Sequence, residues 1–110
     1  MYVPCGDKAV VGEDGNTTTY SEAVTLNEAN AAQVEYTIFN LSGTSLQVTL
    51  QESNDGENWS DRSADTARTA MGYWTFQVSS LGCKYARLKY VVSGGSLKAV
   101  ISAGINAAHL

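Results

Sequence analysis

An all-β chain folded as an antiparallel sandwich is what this sequence predicts, and three observations carry that prediction. Apolar and polar residues alternate with period two in segment after segment, as a half-buried sheet requires. Thr (10), Val (10) and Ser (11) are abundant, which favours strands and polar turns over helices. Gly is 10 against a single Pro, so glycine clusters punctuate the chain at short intervals.

Taken in order, Lys8 to Val11 is a short strand, and Thr17 to Leu26 sets Tyr20, Val24 and Leu26 among polar residues. Asn27 to Gln33 holds the one helix-like patch, a single turn of Glu-Ala-Asn-Ala-Ala. Gln33 to Leu41 is a strand with Val34, Tyr36 and Ile38 on one face. Ser45 to Glu52 alternates most clearly, with Leu46, Val48 and Leu50 inward and Gln47, Thr49 and Gln51 outward. Asp61 to Gly72 has weak periodicity and reads as a loop crossing between sheets. Tyr73 to Ser79 turns Trp74, Phe76 and Val78 inward. Lys84 to Val92 does the same with Ala86, Leu88, Tyr90 and Val92, leaving Tyr85, Arg87 and Lys89 outside. Leu97 to Ala103 sets Leu97, Ala99, Ile101 and Ala103 against Lys98, Val100 and Ser102.

Glu13 to Asn16, Ser42 to Thr44, Asn54 to Gly56 and Ser93 to Ser96 are turn clusters, and the Ser-Gly-Thr and Ser-Gly-Gly connections read as hairpins. Seven to eight short strands with one greasy face each bury that face against a second sheet. The result is one domain over residues 1–110, a sandwich of jelly-roll or immunoglobulin-like type.

The charge balance narrows the partners. Net charge is −4, which opposes a general affinity for nucleic acid or anionic membrane. All 11 acidic residues precede Thr66, and five of the seven bases follow Asp65. Either neighbouring strands neutralise one another, or the subunit has an acidic and a basic face suited to packing against its own kind. The N-terminal residues show no signal peptide, and no run approaches the ~20 apolar residues of a membrane helix.

Candidate chemical groups are few. Asp55, Glu57 and Asp61 do not match a complete calcium loop, and Asp55-Gly56 reads as a tight turn. Trp74 lies in a core register, and Trp59 is read as a lid returning onto the core. The outward Tyr73, Tyr85 and Arg87 are the candidates for interface or ligand contact. Arg87 either pairs with an acid such as Glu35 or Glu52 or bridges subunits. Cys5 and Cys83 are either a disulfide or two separate thiols. His109, the one histidine, stands too near the C-terminus for a catalytic relay. No catalytic, metal or cofactor set emerges.

Two segments carry a resemblance. Val48, Leu50, Gln51, Ser53, Asp55, Gly56 and Trp59, followed by Tyr85, Arg87, Leu88, Tyr90, Val92, Ser93 and Gly94, are similar to a motif pair of small β-sandwich modules in tailed-phage virions and prophages. The likeness spans roughly Leu46 to Ala103. It implies a non-enzymatic structural subunit, a head-decoration or accessory capsid protein, found in the virion or the host cytoplasm. Its implied partners are further copies of itself and a capsid or shell protein, with no cofactor. The small apolar segment Ala103 to Ala108 then either completes its own sheet or lies across a neighbour. Similar motifs occur in discoidin-type, galactose-binding-like domains, which implies the alternative of a carbohydrate- or small-ligand-binding module.

Overall fold

The computed structural model describes residues 2–11, 18–94 and 98–109, with the backbone alone at 6–10. Among these residues there are nine strands: β1 (Tyr2–Val11), β2 (Thr18–Tyr20), β3 (Val24–Thr25), β4 (Ala31–Leu41), β5 (Ser45–Ser53), β6 (Ser60–Ala64), β7 (Gly72–Ser79), β8 (Tyr85–Ser93) and β9 (Ala99–Ala108). They make two antiparallel sheets, one ordered β1-β9-β4-β7 and the other β2-β8-β5-β6, with β3 also pairing β8. The Cα radius of gyration is 13.3 Å, as a compact chain of this length requires.

The alternation sorts residues as it should. Leu46, Val48 and Leu50 of β5, Ala86, Leu88, Tyr90 and Val92 of β8, Val34, Tyr36 and Ile38 of β4, and Ala99, Ile101, Ala103, Ile105 and Ala107 of β9 all join one buried core. Alanines on β9 make room for large neighbours, since Ala103 lies in register beside Tyr36.

Connectivity departs from the hairpin expectation. Ser42 to Thr44 joins β4 to β5, and those strands lie in different sheets. The β8–β9 connection also changes sheets; its Gly95, Ser96 and Leu97 fall outside the described residues, as does the Glu13 to Asn16 turn. Among the described residues, only β5–β6 is a hairpin within one sheet. Counting β2 and β3 as one interrupted strand along β8, nearly every connection passes from sheet to sheet, which is jelly-roll connectivity. Period two fixes which face a residue takes, and says nothing about which strand lies beside it.

Three further expectations are corrected or resolved. Asn27 and Glu28 adopt positive φ (50° and 65°) in a turn rather than starting a helix, and β4 begins at Ala31. Residues 60–64 are not loop: they form β6, an edge strand with no buried face to betray it. The crossing is confined to the stretch that follows, where Arg68 bridges Leu46 of β5. Ala103 to Ala108 lies within β9, between β1 and β4, so it completes its own sheet.

That crossing runs from edge strand β6 to edge strand β7 and joins the two sheets along one side. The Tyr36 hydroxyl donates to Asp65 at 2.5 Å, Arg68 lies 3.1 Å from the same carboxylate, and the Arg68 guanidinium sits 4.9 Å from the Trp74 ring centroid. Burial, then the Asp65 hydrogen bond, push the Tyr36 hydroxyl from 10.0 up to about 12; burial raises Tyr90 as well. A tyrosine whose folded pKa is raised holds its proton in the native state after the unfolded chain has lost it. Its contribution is complete below pH 10.0 and disappears as pH climbs through about 12. Thermal melts followed by circular dichroism should therefore show a midpoint that falls between these pH values. A midpoint unchanged to pH 12 contradicts this placement of Tyr36.

Candidate functional site

The two outer faces differ in kind. On the five-stranded sheet, Gln51 and Arg87 are register partners on β5 and β8. Arg87 Nε donates to Gln51 Oε1 at 2.7 Å, and Gln51 Nε2 donates onward to Asp61 Oδ1 at 2.8 Å. Lys89 Nζ completes the chain with 3.0 Å contacts to both Asp61 oxygens. The guanidinium of Arg87 is held between two rings, 4.0 Å from the Tyr20 centroid and 4.4 Å from that of Trp59. On this same face of β5 the polar Thr49, Gln51 and Ser53 are buried.

The loop that delivers Trp59 is organised by its own side chains. Ser53 Oγ accepts from the amides of Asp55 and Gly56, and Asp55 Oδ1 accepts from those of Glu57 and Asn58 at 2.8 Å each. Those amide bonds, with help from the Asn58 and Ser53 side chains, hold the Asp55 carboxyl well below the usual carboxylate range. Gly56 takes φ 77°, open to glycine without strain. Trp59 Nε1 donates to Gly56 O at 3.2 Å. The ring therefore lies on Arg87 outside the sheet, and Trp59 is no lid on the core. Arg87 likewise pairs with neither predicted acid: Glu52 lies 3.8 Å from Arg62, and Glu35 belongs to the other sheet. The two motif segments, far apart in sequence, thus meet in one hydrogen-bonded stack whose groups satisfy one another. Acidic and basic halves also meet inside the molecule, through Asp61–Lys89 and Asp65–Arg68.

The four-stranded sheet presents a more open surface. The Tyr73 hydroxyl donates to Glu35 Oε2 at 2.8 Å. Tyr2, from the opposite edge strand, lies over Gly104, where an added Cβ would collide with its hydroxyl and ring. Burial, then a hydrogen bond with Glu35, raise the Tyr2 hydroxyl above its ordinary value. Gln77, Gln33 and Asn106 form a register row across β7, β4 and β9, beside a shallow cleft of about 460 Å³. Tyr2 (51% exposed), Phe39 (44%) and Tyr73 (60%) stand on this sheet, with Met71 (67%) at the entrance to β7.

No protein-family model matches the chain, and no curated protein matches it. Solved structures do. One, described as "CBM4 structure and function", aligns with a TM-score of 0.58 and 9% identity over 96% of this chain and 94% of that one. Another, the SPBc2 prophage-derived protein YomS, aligns with a TM-score of 0.57 and 14% identity over 98% of this chain and 92% of its own. At these identities the likeness is one of fold: both neighbours are β-sandwich proteins.

The three predicted contact residues are not brought together. Arg87 is enclosed in its stack. Tyr85 lies half-buried on the five-stranded sheet, lining a separate cleft of about 380 Å³ with Thr25, Asn27 and Glu28. Tyr73 is on the other sheet. Tyr2, the meeting of Glu35 with two tyrosines and the carboxamide row escape sequence reasoning, because alternation points to a first strand from Lys8 rather than Tyr2 and the rows form only through long-range pairing. Cys5 and Cys83 are both free thiols. His109 is exposed just beyond β9. Among the described residues, no three His, Cys, Asp or Glu side chains are grouped to hold a metal.

Proposed function

We propose that this chain is a non-enzymatic structural subunit that acts through contacts with further copies of itself, in the manner of a virion-associated phage protein such as a head-decoration or accessory capsid component. One observation carries the reading. Of the five exposed large hydrophobic residues among those described, Tyr2, Phe39, Met71 and Tyr73 belong to the four-stranded sheet or its border, and only Tyr20 lies elsewhere. Apolar exposure gathered on one side of a small domain marks a contact surface. The self-satisfied face of the other sheet agrees, since its motif residues serve packing. Full-length similarity of fold to a prophage-derived protein is consistent with this assignment. Light scattering over a concentration series should give a mass that is a multiple of the 11.7 kDa chain. A strict monomer at the highest concentrations contradicts the reading.

A second reading, a carbohydrate-binding module, is favoured by the meeting of Tyr2 and Tyr73 at Glu35 beside the carboxamide row. Rings offer sugar-stacking surfaces, and amides and carboxylates bind hydroxyls. Glycan-array binding that is lost in Tyr73→Ala supports it, and silence across a broad array removes it.

A further inference from the structure

Sheet edges left unpaired are a hazard that proteins blunt with prolines, charges, bulges or brevity. Three edges of this sandwich carry such devices. β1 has Pro4 and two shifts of register against β9. β6 is five residues long and carries Asp61 and Arg62. β2 and β3, which share the last edge along β8, are three and two residues long. The fourth edge, β7, has none of them. Its sequence is Gly-Tyr-Trp-Thr-Phe-Gln-Val-Ser, eight residues without charge or proline, paired with β4 in unbroken register. Two charges reach this strand from the β6–β7 crossing and its approach: Arg62 donates to the carbonyl of Ser79 at 2.8 Å at the C-terminal end, and the Arg68 guanidinium lies 4.9 Å from the Trp74 ring centroid on the inward side, but neither pairs with the strand's backbone along its length. On the inward side, Trp74 and Phe76 pack against the core but remain half-buried at this border.

We propose that β7 pairs antiparallel with β7 of a second copy across a two-fold axis, joining the two four-stranded sheets into one. This specifies the contact in the assembly reading above and rests on it. The occupant is a second copy because the strand complements itself. With no charge on it, identical strands meet without like-charge repulsion. A two-fold axis normal to the sheet sets outward residues against outward ones, so both core faces stay continuous. In the register centred on Thr75, Thr75 opposes its counterpart, Trp74 opposes Phe76 and Tyr73 opposes Gln77. The half-buried rings of each copy then cover those of the other. Pairing of this kind is β-augmentation, in which main-chain hydrogen bonds supply affinity and alternate side chains supply register.

The test uses the full chain. Thr75 is exposed and points outward, so Thr75→Lys leaves the monomer's packing intact while placing a lysine opposite a lysine in the dimer. Sedimentation equilibrium should give twice the chain mass for the natural sequence and the single chain mass for Thr75→Lys, with identical circular dichroism spectra. Thr75→Cys in a Cys5→Ser, Cys83→Ser background should form an interchain disulfide under mild oxidation, because directly opposed strand residues lie about 4.5–5.5 Å apart. A Thr75→Lys protein that still assembles, together with a Thr75→Cys protein that forms no crosslink, overturns the β7 pairing and leaves the assembly reading standing on another surface. A natural sequence that stays monomeric overturns both.

Discussion

Leu88→Ala should lower the free energy of unfolding by about 2–5 kcal/mol, the cost of a cavity where a buried leucine stood. Leu88 is fully buried in the middle of β8, in register with Leu50 on β5. Its backbone amide donates to Ser21 Oγ at 2.8 Å, tying in the segment between β2 and β3. The surrounding backbone is thus held on both sides and has little freedom to collapse into the space. Domains of this size are stable by about 5–15 kcal/mol, so the loss is a large share of the total. Urea unfolding should show a lower midpoint with an unchanged slope. A change below about 1 kcal/mol would mean that Leu88 is not at the packed centre of the sandwich.

Arg87→Ala should cost about 2–4 kcal/mol although the residue lies outside the core, a range set by its ring contacts and its hydrogen bond. Each ring contact is worth about 0.5–2 kcal/mol depending on desolvation. A hydrogen bond from a charged donor adds about 1.5–3 kcal/mol. These terms overlap, so the expected loss is below their sum. Removal of the guanidinium also strands Gln51 Oε1, an atom of a residue only 6% exposed. Arg87→Lys should recover only part of the loss, because an ammonium cannot present a flat face to Tyr20 and Trp59 together. A double-mutant cycle of Arg87→Ala with Trp59→Ala should give a coupling of at least about 0.5 kcal/mol. Additive effects would show that the stack contributes nothing beyond its separate members.

Much of the fold is legible in the sequence, for a physical reason. In β7 and β8 the inward face is the more buried of the two, and in β5 the inward Leu46, Val48 and Leu50 are wholly buried, so the environment these residues enter is written into their alternation. The inward sets of these strands, from Leu46 to Val92, join the core or pack against it. β6 leaves no such trace because Ser60–Ala64 buries no apolar face. β9 extends to Ala108 through Gly104 and Asn106, whose lack of apolar character reflects Tyr2 overhead and an outward row rather than a break in the strand. The hairpin expectation fails because a turn cluster signals reversal without saying in which sheet the chain resumes. The candidate site is the least legible part. The direction of Trp59 depends on Gln51 lying beside Arg87, a pairing of residues 36 apart. The approach of Tyr2 to Glu35 depends on β1 and β4 flanking β9. Such contacts belong to topology, which periodicity does not encode.

In the proposed assembly, one stack holds the subunit together and one strand, β7, meets a second copy. Amide hydrogen exchange measured from dilute to concentrated protein addresses that division most directly. The alternate amides of residues 72–79 that face away from β4 should exchange more slowly as concentration rises, while those of β1, β2 and β6 keep their rates. Exchange along β7 that is indifferent to concentration would contradict the account.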